Sequence, residues 1–213
     1  MDEASKTIAL YPKLLTDYLH GRILDIGAGL DPITKSAEVF DKAQGDAQDV
    51  LLHFPKESFD TVFSSHCLEH MVDPLAAIQS WYSLVKLGGH LIVIVPDEDT
   101  YEQGHFPSIF NSDHKATFTV SKSKSWSAKS INCLDLCTSL GGEIVYLAQQ
   151  FDNYDMGKRS YKKLGLLKFR ITRQALRAKN VRSIAKRLRL LPIDQTSQSN
   201  STLAQICFVV KKS

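Results

Sequence analysis

The chain has 213 residues, 43% of them hydrophobic and 23% charged, enough apolar material for one packed α/β domain and too much for a disordered chain. Its net charge of +3 conceals an asymmetry: residues 158–190 hold 13 of the 26 lysines and arginines and no acid, which leaves the rest of the chain at −10. No run approaches the roughly twenty apolar residues that a membrane crossing needs, and residues 1–6, with Asp2 and Glu3, lead into no signal-like run, so a cytoplasmic protein is expected.

In chain order, residues 22–26 (RILDI) form a short apolar run followed at once by Gly-Ala-Gly, the pattern of a buried parallel strand feeding a tight turn. Asp31-Pro32 then resembles a cap and a first-turn proline. Short strands are expected at 37–40 and 47–52, and clearer ones at 59–65 (FDTVFSS) and 90–96 (HLIVIVP). Between these two, residues 73–86 predict a helix capped by Asp73, opened by Pro74 and stopped by Gly88-Gly89. A further helix is expected over 128–140, a strand over 143–150 and a last strand within 202–212. The sum is a single α/β domain over 1–213, with a doubly wound, mostly parallel, seven-stranded Rossmann-like sheet and helices on both faces.

Two segments fall outside that repeat. Residues 101–126 are polar and aromatic without periodicity and follow a central strand, which makes them a candidate lid. Residues 152–201 form a basic insertion before the last strand, with a helix expected over 173–191 whose Val181, Ile184, Leu188 and Leu191 share one face. The four cysteines, Cys67, Cys133, Cys137 and Cys207, have no paired spacing and are expected to be reduced and buried.

The chemistry begins at LDIGAGLDP, 24–32. Two glycines after a strand let the backbone turn tightly and bring N–H groups close to a ligand. A dinucleotide fingerprint wants a third glycine where this chain has Pro32. Instead Asp25 precedes the glycines and Asp41 follows the next strand, carboxylates that suit ribose hydroxyls and an ammonium group better than a pyrophosphate.

With Gly45-Asp46-Ala47, FPKESFDTVFSSHCLEHMVDP and LVKLGGHLIVIVPDED in order behind ILDIGAG, residues 20–100 resemble a class I S-adenosylmethionine (SAM)-dependent methyltransferase. The resemblance implies SAM as cofactor. It implies that Asp25, Gly27, Ala28 and Gly29 line the methionine end, Asp41 binds the ribose, Asp46 and Ala47 meet the adenine, and Ser65 and His66 border the sulfonium. The continuation YEQGHFPSIFNSDHKATFT (101–119) is similar to a bacterial subgroup associated with surface glycans, which implies O-methylation of a nucleotide- or lipid-linked sugar. Amines and phosphorylated metabolites are the alternative acceptors, and a non-catalytic adaptor acting through 158–190 is the alternative role. SSHC stands where base-modifying amino-methyltransferases carry an Asn-Pro-Pro-Tyr type of motif.

Methyl transfer to a hydroxyl needs alignment and removal of a proton. His66, Asp97 and His114 are the candidate catalytic residues, with Asp97, Glu98 or Asp99 placed to orient His114 if the lid folds over the site. His66, Glu69 and His70 have the i, i+3, i+4 spacing of a helical metal site, but His66 sits at a strand end, and no metal is expected from the spacing alone. The basic segment 158–190 suits a solvated helix, a phosphate-bearing substrate or an anionic membrane surface. With only Tyr161 and Phe169 for stacking, nucleic acid ranks last.

Overall fold

The computed structural model describes residues 3–159 and 192–213. Two N-terminal helices, α1 (Glu3–Leu10) and α2 (Pro12–Tyr18), precede β1 (Ile23–Ile26) and β2 (Glu38–Phe40). Then come β3 (Phe59–Ser65), α3 (Pro74–Leu84), β4 (Val85–Pro96), β5 (Thr117–Thr119), β6 (Ser130–Asn132), α4 (Cys133–Ser139), β7 (Glu143–Gln150) and β8 (Gln205–Lys211). The main sheet has the order β2-β1-β3-β4-β8-β7. Its first four strands are parallel, and β8 runs antiparallel between β4 and β7.

The period-2 alternation of β4 divides the core. Leu91, Val93 and Val95 pack with Ala77, Ile78 and Trp81 of α3 and with Cys133 and Leu136 of α4. Ile92 and Ile94 face the other way, toward Ala4 of α1, Phe63 and Val209. Helices therefore cover both faces of the sheet, and every β4 residue from His90 onward is buried. α3 begins where its sequence says it should: Asp73 Oδ1 accepts from the N–H groups of Leu75 and Ala76, each at 3.1 Å, ahead of Pro74.

Several expectations are corrected. Residues 47–52 form a 3₁₀ helix, not a strand, so the main sheet has six strands among the described residues rather than seven. Asp46 caps that turn through Gln48 N at 2.9 Å, and only Val50 within it is buried, so the run lacks the alternating face a strand would need. No helix follows Asp31-Pro32; residues 27–37 cross to β2 in turns, with the Asp31 carboxylate spent on the backbone N–H and hydroxyl of Ser5 in α1. Gly88-Gly89 does not stop α3. The helix ends at Leu84 and β4 has already begun, with Gly89 in a place where a Cβ would lie 2.5 Å from the Asp60 carbonyl oxygen. The helix expected over 128–140 is shorter, because β6 occupies its start, pairs with β5 and yields to α4 at Cys133.

The four cysteines are free and buried, as expected. The basic insertion's helix, 173–191, with its stripe of Val181, Ile184, Leu188 and Leu191, lies outside the described residues. Among the described residues, no helix is long and apolar enough to cross a membrane.

Candidate active site

The site gathers at the C-terminal ends of the parallel strands. After β1 the chain turns through Gly27 at φ +79° and Gly29 at φ +56°, a conformation that side chains rarely adopt. Gly27 N donates to Phe40 O at 2.8 Å. A Cβ on Gly27 would lie 2.6 Å from that of Cys67, so the absence of a side chain lets this turn approach the end of β3.

Two carboxylates hold the loop, Asp25 from behind and Asp41 from the cavity side. Asp25 Oδ2 accepts from Ile33 N at 2.7 Å, and Asp41 Oδ2 accepts from Gly29 N at 2.6 Å. Burial pushes the Asp25 carboxyl up to about 7, against the Ile33 hydrogen bond and with help from Asp31 and Asp41.

In front of this loop lies a cavity of about 570 Å³, a size that suits a cofactor-scale ligand. Gly27, Asp41, Asp46 and Ala47 line it from the β1 and β2 side, and His66, His70 and Lys115 from the other. Asp25, Ala28, Gly29 and Ser65 are not on its wall. Ser65 Oγ is buried without a hydrogen-bond partner among the described residues.

His66 follows β3 at φ +51°, outside any helix, so the i, i+3, i+4 arrangement does not form. Its Nε2 lies 3.2 Å from Gln205 Oε1 and its Nδ1 3.5 Å from Glu69 Oε1. Burial alone would lower the His66 pKa, but Glu69 beside it outweighs burial and holds it above the ordinary histidine value. Burial likewise opposes ionisation of Glu69, and the surrounding histidines nevertheless keep its carboxyl below the usual range.

The segment 101–126 folds against this corner and is tied down at many points. Lys115 N donates to Glu69 O at 2.7 Å and Lys115 Nζ to His70 O at 2.6 Å. His114 is buried behind the cavity wall, stacked on Tyr101, with Nδ1 2.6 Å from Glu102 Oε1. The orienting carboxylate is thus Glu102 and not Asp97, Glu98 or Asp99. Asp113 turns away from its neighbour and places Oδ2 3.1 Å from His70 Nδ1.

Asp97 does not reach the cavity. It is 1% exposed, and its carboxylate accepts from Asp99 N, Thr100 N, Thr100 Oγ1 and Gln149 Nε2, which makes it the cap of the turn after β4. Sequence reasoning misses Glu102 entirely and finds Glu69 only through its spacing. Nothing periodic links Glu102 to His114, twelve residues on in an irregular segment.

Residues 16–93 match the family model for a methyltransferase domain. Three solved structures share the fold. A candidate methyltransferase of Bacillus halodurans C-125 is 14% identical with a TM-score of 0.54, covering 94% of this chain and 97% of its own. A SAM-dependent methyltransferase of Archaeoglobus fulgidus is 16% identical with a TM-score of 0.52, covering 99% and 95%. The [4+2]-cyclase SpnF, at 14% and 0.50, covers 96% and 80%. No curated protein sequence matches the chain.

Proposed function

We propose that this protein, whose residues 16–93 match a methyltransferase domain, transfers a methyl group from SAM to a hydroxyl of a sugar or glycan intermediate, nucleotide- or lipid-linked. The observation that carries this reading is the make-up of one cavity, with carboxylates at one side and histidines at the other. When bound, SAM supplies an electrophilic methyl carbon on a sulfonium.

The residues present suit it. Asp41 and Asp46 offer acceptors for hydroxyl and amino groups, and the open Gly27 turn admits a ligand close to the backbone. Asp25 shapes this loop from behind through Ile33, and Ala47 and Phe40 give an apolar wall for a flat base.

His66 is the base in this scheme. It lines the cavity, and Glu69 favours the imidazolium that forms when it takes a hydroxyl proton. His114 sits behind the wall as a positioning residue, and Asp97 has no part in proton transfer. Lys42 and Lys115 give the cavity two cations, which suit the phosphate of a linked sugar. The same pair supports a second reading, a phosphorylated metabolite without a sugar.

S-adenosylhomocysteine release, measured across nucleotide sugars, phosphorylated metabolites and amines, is expected to be greatest with a nucleotide sugar. His66→Ala should lower that rate about 10²–10⁴-fold, and a loss below about tenfold would leave positioning alone. Calorimetry with millimolar SAM comes first. No binding by the pure protein would end the methyltransferase reading and favour an adaptor acting through 158–190.

A further inference from the structure

Glu69 is a buried carboxylate without the hydrogen bonds that such a group normally has. Its side chain is 1% exposed, and neither oxygen has a hydrogen-bond partner among the described residues. A carboxylate in that state is strongly destabilised unless a cation meets it.

Two imidazoles face the same oxygen. His70 Nε2 and His114 Nε2 each lie 3.9 Å from Glu69 Oε1, and one ligand atom from each of the three residues falls within 4.8 Å of the others. Both rings have a second carboxylate nearby: Glu102 hydrogen-bonds to His114 Nδ1 at 2.6 Å, and Asp113 Oδ2 lies 3.1 Å from His70 Nδ1, which makes no hydrogen bond among the described residues. The Glu102 carboxylate at Nδ1 favours the proton there and leaves His114 Nε2 as a lone pair, which is how metal-bound histidines are oriented. Two imidazole nitrogens and a carboxylate oxygen thus converge on one point.

We propose that Glu69, His70 and His114 bind one divalent transition-metal ion, with Zn²⁺ the best chemical match. A tetrahedral ion with bonds of about 2.0–2.1 Å spaces its ligands about 3.3–3.4 Å apart, so each histidine nitrogen must close on the Glu69 oxygen by about half an ångström, and the two nitrogens, within 4.8 Å of each other, by up to about 1.4 Å. Two imidazoles and one carboxylate suit borderline metals. Mg²⁺ and Ca²⁺ want mainly oxygen ligands, and the set holds a single carboxylate.

His66 is outside the set, although its Nδ1 lies 3.5 Å from the same Glu69 oxygen. Its Nε2 is engaged with Gln205, and its backbone turns out of the following 3₁₀ helix. The set therefore joins two neighbours after β3 with a histidine from the segment after β4, a combination absent from the sequence spacing. His70 also lines the cavity, so the ion would sit at its wall with a position left for water or an acceptor oxygen. These distances are the same whatever the acceptor.

The test uses the full chain and reads binding, not activity. Protein purified without chelator is assayed for metal by mass spectrometry, stripped with EDTA and titrated with Co²⁺ as a visible probe, Zn²⁺ as competitor and Mg²⁺ as control. The expected result is one equivalent of Co²⁺ with d–d bands, displaced by Zn²⁺ and not by millimolar Mg²⁺. Glu69→Gln should abolish it, and Glu102→Gln, which touches no metal, should weaken it about 10–100-fold.

Where Glu69→Gln fails to fold, Glu102→Gln and His70→Ala carry the test, with circular dichroism confirming their fold. Absence of saturable Co²⁺ binding would overturn the proposal and leave a shared proton as the cation. So would undiminished binding in Glu102→Gln and His70→Ala, or an intense thiolate charge-transfer band placing the ion on cysteine.

Discussion

Asp25 offers a prediction whose sign and size both derive from its surroundings. The residue is 1% exposed, accepts one hydrogen bond, from Ile33 N, and stands near Asp31 and Asp41. Burial, partly offset by that hydrogen bond and reinforced by the two neighbours, pushes its carboxyl from 3.8 to about 7. Between about pH 4 and pH 7 the folded protein thus holds a proton that the unfolded chain has released, and stability must fall as pH rises through this window. A displacement of about three pH units at about 1.36 kcal/mol each gives about 4 kcal/mol by pH 8, and water entry on ionisation brings the expected value nearer to about 2.

Asp25→Asn keeps an oxygen for Ile33 N and cannot ionise. Urea unfolding of both proteins at pH 5, 6, 7 and 8 should give a variant about 1–2 kcal/mol more stable at pH 5 and about 2–4 kcal/mol more stable at pH 8, measured from a common stability below about pH 4. Parallel pH profiles, or a variant less stable at pH 8, would refute the reasoning. Because Asp25 is absent from the cavity wall, SAM affinity should change by less than about tenfold in the variant. A direct ammonium contact would instead make wild-type affinity climb steeply up to pH 7 and the variant's remain low.

Glu98 should behave in the opposite way, as a charge that the fold needs. It accepts from Lys122 Nζ, Ser125 Oγ, Ser130 Oγ and Thr117 Oγ1 while 0% exposed, so Glu98→Ala takes the shared acceptor from three hydroxyls while Lys122 keeps Asp99 at 2.6 Å, and should cost about 2–3 kcal/mol, with hydrogen exchange rising first over 117–132. Charge reversal of four basic residues within 158–190 should weaken acceptor binding or co-sedimentation with anionic vesicles at least about tenfold and leave SAM affinity unchanged, as calorimetry would show. Unaltered binding to both would make the segment a solvated one.

The parts legible in the sequence are those where a local signal and a tertiary demand coincide. β1 and β3 are apolar runs because both faces of a parallel strand are covered, and α3 announces itself through Asp73 and Pro74. Gly88-Gly89 looks like a helix stop because the sequence cannot reveal that Gly89 lies against the carbonyl of Asp60. Residues 47–52 look like a strand because Val50, Leu51 and Leu52 are apolar, whereas Leu52 is 83% exposed and the Asp46 cap decides the conformation. Within the site, the order of the motifs points to Asp41, Asp46 and His66, and all three line the cavity. Asp97 resembles a base only while its four hydrogen-bond donors are out of view.

The segment after β4 shows why the remainder is not legible. An irregular stretch of polar and aromatic residues reads as a lid because it has no periodicity. In the fold, Glu102, His114 and Phe118 are buried, and Lys115 fastens the segment to the backbone of Glu69 and His70. Those contacts join the element that carries His114 to the one that carries Glu69. The histidine and carboxylate side of the cavity is therefore built before an acceptor arrives, and the cost of ordering it is met in folding rather than in binding. For the methyl transfer proposed above, a preformed wall of this kind would align an acceptor rather than enclose it, which is what an in-line displacement mainly requires.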